Sequence, residues 1–145
     1  MAVMPIERGK TREYAIATGA ARTEYLDDAH APVPPTFLST VVFWENLSRV
    51  FELPETLREC SALGIVPDTS GLLSLAQEYE FHGELLRAGE VVATELRLDG
   101  VRRVAGRSGL RVEVTFTVSF TDEAGRLRAE CHYTSAVLQK SHASS

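Results

Sequence analysis

At 145 residues the chain is long enough for one domain with a real core, and its 44% hydrophobic and 24% charged residues are those of ordinary soluble globular material. A formal net charge of -5 speaks against nucleic acid or an anionic membrane as the main partner. Cys60 and Cys131 supply neither metal-ligand spacing nor a disulfide framework, no stretch is apolar and long enough to span a bilayer, and residues 1–10 lack the apolar segment of a signal peptide, so the cytoplasm is the expected setting.

Residues 1–9 read as a short extended arm ahead of a short helix over 10–18, which Gly19 stops because glycine enters the left-handed region at least cost. From Ala20 to Val33 periodicity disappears and small, charged and proline residues take over, which predicts a loop with a turn of helix around 25–29. One substantial helix is expected over 36–51. Phe37, Val41, Trp44, Ser48 and Phe51 follow helical spacing, and Leu38, Val42 and Leu47 widen the stripe into an apolar arc of the kind that faces a core. Ser39, Thr40, Glu45, Asn46 and Arg49 are left to its narrow polar side, and Pro34 and Pro35 are harmless at a helix start, where the first N–H groups have no partner. Residues 54–60 make a short helix with Pro54 at its first position, followed by a connector over 64–71.

The second half is strands. Residues 73–81 carry their larger, mostly apolar side chains at odd positions; 89–98 is a second strand, with Asp99 and Gly100 as a bulge or the start of a turn. In the third, Leu110, Val112, Val114, Phe116, Val118 and Phe120 alternate with Arg111, Glu113, Thr115, Thr117 and Ser119, so one face is buried and the other wet or half covered. A turn over 122–125 leads to the last strand, opened by Leu127, Ala129, Cys131 and Tyr133. Strands this closely spaced are most simply an antiparallel meander, and a helix covered by one curved antiparallel sheet is α+β. The expected architecture is a hot-dog fold with a single central helix at about 36–51 and a single domain over 1–138, the tail 139–145 having no reason to be ordered. Periodicity alone also fits an unspecialised α+β domain.

Ile6-Glu7-Arg8-Gly9-Lys10-Thr11-Arg12-Glu13-Tyr14-Ala15, then Pro34-Pro35-Thr36-Phe37-Leu38, then residues 79–90 resemble, in order and spacing, the MaoC-like (FAS1-like) acyl dehydratases, specifically the N-terminal-half type of actinobacterial (3R)-hydroxyacyl-thioester dehydratase subunits. The likeness covers roughly residues 5–138. Active members of that family carry a loop Gly-Asp-x-Asn-Pro-x-His-x-Asp, whose Asp and His handle the proton and the leaving hydroxyl. Laid on this chain, the loop begins at Gly19 and ends at Asp27, but the catalytic aspartate position is Ala20, the asparagine Arg22, the proline Thr23 and the catalytic histidine Tyr25. Removing a proton beside a thioester carbonyl needs a base and the departing hydroxyl an acid. Ala20 is neither, and a tyrosine with its ordinary pKa of about 10 is a poor base at neutral pH.

Asp27, Asp28, His30 and His82 are the fallback groups for a displaced site; the favoured reading is that the first three are loop surface, with Asp27 a structural hydrogen-bond acceptor, and His82 a half-exposed sheet residue. The resemblance implies thioester binding near Thr36 and Phe37, where helix-start N–H groups point partial positive charge, although the family usually has glycine where Thr36 stands. An ordinary capped helix end is the alternative. Arg102, Arg103, Arg107 and Arg111, expected in the turn between the second and third strands, are candidate phosphate contacts for coenzyme A or a phosphopantetheine arm, or else a solvated hairpin. Gln77, Glu78 and Glu80 carry no metal spacing, and neither metal nor cofactor is implied.

The expectation is therefore a substrate-holding, non-catalytic subunit of a (3R)-hydroxyacyl-thioester dehydratase (a lyase of fatty acid or polyketide metabolism), acting on an acyl-CoA or acyl-carrier-protein thioester. Its hot-dog partner would carry the intact Asp and His. The alternatives are a stand-alone or homodimeric hydratase or thioesterase with a displaced site, and a non-enzymatic module that binds acyl chains or a carrier protein.

Overall fold

A computed structural model describes residues 1–107 and 109–138; the tail 139–145 lies outside the described residues. Strand β1 (Ala2–Pro5) precedes helices α1 (Arg8–Ala17) and α2 (Thr23–Leu26), and two 3-10 helices follow, Phe37–Phe43 and Leu47–Glu52. After α3 (Pro54–Ala62) and a 3-10 turn at Thr69–Gly71 come β2 (Leu72–Phe81), β3 (Val91–Gly106), β4 (Gly109–Asp122) and β5 (Leu127–Leu138). The five strands form one antiparallel sheet in the order β1-β3-β4-β5-β2, with Ala2 opposite Thr94 and Pro5 opposite Val91. No helix among the described residues is long and apolar enough to cross a membrane.

Two compact units are distinguished. Of the described residues, the first comprises 1–46, 79–95 and 119–131, the second 47–78, 96–107, 109–118 and 132–138. Met4, Ile6, Phe37, Leu38, Val41, Leu86, Val92 and Phe120 form the buried core of the first. In the second, Val50, Phe51, Cys60, Val112, Val114 and Val118 are buried, and Phe116 stacks on Tyr133 with ring centroids 5.0 Å apart. The alternation along β4 is as the sequence predicts. Its polar face is covered as well, because Glu113 is bridged by Arg102 and Arg111 while Thr117 bonds both Asp99 and His132.

The single helix expected over 36–51 is instead two short 3-10 helices separated at 44–46. The backbone N–H groups of Trp44 and Glu45 both donate to the Val41 carbonyl, closing the first helix. Ser39, Thr40, Val41 and Val42 give that segment little intrinsic helix preference. Its buried face is Leu38, Val41 and Glu45 rather than the stripe through Trp44: Glu45 is 2% exposed and accepts a hydrogen bond from Thr94 Oγ1 at 3.3 Å, whereas Val42, Phe43 and Trp44 face outward. β3 is also longer than expected. It runs through Asp99 and Gly100 without a turn, so Arg102 and Arg103 lie on the strand and only Arg107 lies in the turn. The extended arm is a true edge strand, β1, too short to show alternation.

Two carboxylates tie this fold to pH. The hydrogen bond from Arg102, with the charges of Arg102 and Arg111, holds Glu113 below the usual carboxylate range; the Arg126 backbone N–H, with Arg128 and Arg126, does the same for Asp122. A carboxylate whose pKa is lower in the folded state stabilises it above the unfolded value of about 4 and loses that contribution as pH falls through the folded value. The melting temperature is expected to be level near neutrality and to fall below about pH 4. Glu113→Gln should lower it at pH 7 and flatten the acid limb in a calorimetric pH series.

Candidate ligand site

A groove of about 510 Å³ lies in the first unit, within the size range of small-molecule sites. β1, one face of α1 and the Phe37–Phe43 helix form it. Met4, Phe37, Phe43 and Trp44 make its walls apolar, Lys10, Tyr14 and Ala17 face it from α1 at helical spacing, and Glu7 and Glu13 stand among the residues that line it. α1 stops where it should: its last carbonyls are met by the Thr18 and Gly19 N–H groups, and Gly19 adopts φ +78°.

Hydroxyl groups mark this site. The Tyr14 hydroxyl lies 2.6 Å from Thr36 Oγ1 and 3.0 Å from the Thr36 carbonyl, and the Tyr14 ring meets Phe37 edge-on. Thr40, another lining residue, has a buried Oγ1 with no hydrogen-bond partner. Outside the residues that line the groove, Ser39 bonds the hydroxyl of Tyr79, whose pKa is pushed up to about 12 by burial first and then by Cys131, so Tyr79 is a neutral hydroxyl at physiological pH. The arrangement can hold an apolar chain and offer hydroxyls to a polar group on it.

Phe37 lines the groove, and Thr36 is joined to it through the hydrogen bonds of the Tyr14 hydroxyl rather than lining it. The Phe37 N–H, however, donates to the Pro34 carbonyl, so the helix start offers less free polarisation than its sequence position promised. Tyr14, Thr40, Phe43 and Trp44 are contributors that sequence reasoning missed; the repeat of Lys10, Tyr14 and Ala17 along one face of α1 was the available signal.

Ala20 and Tyr25 stand at the positions where the family motif has its aspartate and histidine. The Ala20 N–H is spent on the Ala15 carbonyl, and Tyr25 sits half-buried in the one-turn helix α2. Asp28 rather than Asp27 engages His30, its carboxylate accepting the His30 backbone N–H at 2.8 Å. Gly89 adopts φ +97°, a conformation that favours glycine, and a Cβ there would come no nearer than an ordinary contact of 3.6 Å to the His30 ring; Asp27 is exposed. His82 lies apart from that loop in sequence, 3.6 Å from the Glu130 carboxylate. In the second unit Arg102 and Arg111 converge on Glu113, Arg103 donates to the Leu63 carbonyl, and Arg107 is exposed, so two of the four candidate phosphate contacts already neutralise a carboxylate.

The family model for the FAS1-like, dehydratase domain region matches residues 2–130. Among solved structures, the chain is similar to one from the C-terminally truncated HadBC (3R-hydroxyacyl-ACP dehydratase) complex of Mycobacterium tuberculosis, at 18% identity and TM-score 0.69 over 92% of this chain and 89% of that one. It is similar to a MaoC-like dehydratase at 27% identity and TM-score 0.72, covering 95% of this chain but only 40% of that longer one. A chain of the ChsH1-ChsH2 complex of Mycobacterium tuberculosis is similar at 15% identity and TM-score 0.66, over 97% and 83%. No curated protein sequence matches. These likenesses identify the antiparallel sheet with few helices as the hot-dog fold.

Proposed function

The chain belongs to the FAS1-like, MaoC-like dehydratase family, and from that premise we propose that it is the substrate-holding, non-catalytic subunit of a (3R)-hydroxyacyl-thioester dehydratase or enoyl-thioester hydratase. The observation that carries this reading is that Ala20 and Tyr25 stand where the family motif laid on this chain has its acid and base, in a chain that also holds a groove suited to an acyl chain. The ligand is an acyl-CoA or acyl-carrier-protein thioester. The Tyr14, Thr36 and Thr40 hydroxyls meet its polar end, and Met4, Phe37, Phe43 and Trp44 its hydrocarbon.

The catalytic Asp and His come from a second hot-dog subunit. Two of the similar structures are complexes, and the longer MaoC-like dehydratase has room for another segment of this size. β2 is an edge strand of the sheet and exposes Leu72, Leu73 and Leu75, an edge of the kind that a second subunit covers by extending the sheet.

Trp44 is the chain's one tryptophan, so its fluorescence reports on the groove directly. Titration with a medium-chain acyl-CoA is expected to give a saturable change that free coenzyme A does not. Ala17→Phe, which fills part of the groove, should weaken that binding about tenfold, the value of roughly two excluded methylenes. An unchanged affinity in Ala17→Phe would place the acyl chain elsewhere.

A further inference from the structure

Outside the groove, the end of β2 and the neighbouring stretch of β5 bring together Glu80, His82 and Glu130, whose ligand atoms all lie within 4.8 Å of one another. We propose that these three side chains form a binding site for a divalent transition-metal ion of the zinc class, which fastens edge strand β2 to β5. The register makes the cluster. The His82 N–H donates to the Arg128 carbonyl at 2.9 Å, and side chains two apart in an extended chain share a face, so Glu80 and His82 both stand beside Glu130.

Geometry and donor chemistry point to a cation rather than to an ordinary ion pair. His82 Nε2 is closed to solvent yet has no hydrogen-bond partner, and it lies 3.6 Å from Glu130 Oε2. That separation is long for a hydrogen bond. It is close to the ligand-to-ligand edge of about 3.4 Å that follows from zinc bonds of about 2.1 Å in a tetrahedral site. One imidazole and two carboxylates are borderline-to-hard ligands that suit zinc or cobalt, with water completing the shell. The nearby Arg128 guanidinium is already committed to Glu90, Asp122 and the carbonyls of Glu84 and Leu85. Sequence spacing could not show the site, because Glu130 comes from a distant strand.

The test uses the full-length protein, free of any affinity tag and stripped with chelator, titrated with Co²⁺ followed by visible absorption and with Zn²⁺ followed by calorimetry. One equivalent per chain is expected, with cobalt bands of a four- or five-coordinate ion and a higher melting temperature in Zn²⁺. His82→Ala and Glu130→Gln should each weaken binding by at least about tenfold and abolish the thermal shift. Glu123→Gln, in the exposed turn before β5, should bind as the wild type does. If His82→Ala fails to fold, Glu80→Gln, at an exposed side chain, carries the same comparison. Absence of saturable binding, or binding unchanged in these variants, would show the cluster to be only a surface ion pair and overturn the site.

Discussion

Purified alone, the chain is expected to leave enoyl-thioester absorbance essentially unchanged, and to gain hydration activity of about 10⁴-fold or more when a hot-dog subunit with an intact Asp and His is added. General acid and general base groups each contribute roughly 10²–10⁴-fold, and in the proposed reading Ala20 and Tyr25 stand at both positions. Binding and hydroxyl polarisation at the groove can position a thioester but cannot move its proton. Tyr25→Phe should therefore change little in the assembled pair. Turnover at several per second by the isolated chain would refute the non-catalytic assignment and make Asp27, His30 and His82 the residues to replace. A mixture that stays silent with every candidate partner, yet binds an acyl carrier or acyl-CoA, would instead leave a non-enzymatic binding module.

The strands and the family were legible in the sequence because their signals are local. Val112 to Phe120 alternate with a period of two, and Gly125 follows Asp122 at a turn. The central helix was legible as a buried apolar segment but not as two 3-10 helices. Beside the low helix preference of residues 39–42 there is a tertiary cause: Glu45 turns inward to meet Thr94, a partner 49 positions away, and that leaves Phe43 and Trp44 facing the groove. Hydrophobic spacing had placed Trp44 in the core and Glu45 in water, since it weighs side chains by polarity and cannot see a buried hydroxyl waiting for a carboxylate. The ligand site was half legible for the same reason. Thr36 and Phe37 come from a recognisable segment, while Tyr14 joins them only once α1 has docked.

Arg128→Ala is expected to destabilise the fold by about 3 kcal/mol, the lower end of the range for removing one partner of a buried ion pair, because Glu90 keeps partial access to water. Arg128 itself is 8% exposed. One of its terminal nitrogens donates to Glu90 Oε1 at 2.6 Å and Asp122 Oδ2 at 3.2 Å, and the other to the Glu84 and Leu85 carbonyls, both at 3.2 Å. Alanine leaves two carboxylates near each other without the cation between them and two carbonyls without that donor, while removing a packed side chain. The damage should reach the loop that follows β2, because Glu90 also accepts the Arg87 N–H, and Arg87 in turn bonds the His30 carbonyl. Arg128→Lys should recover only part of the loss, since an ammonium cannot reproduce the planar fork that serves carboxylates and carbonyls together. Arg126→Ala should cost far less: its guanidinium meets the same Asp122 but is largely exposed, and water replaces it. Urea denaturation of the three variants decides the matter. If Arg128→Ala proves no more costly than Arg126→Ala, the network behaves as a surface pair, and the loop from Glu84 to Glu90 is held by its backbone contacts alone. If the ordering is as expected, adding Asp122→Asn to Arg128→Ala should cost less than the two single losses together, because the second change removes a carboxylate that the first had stranded.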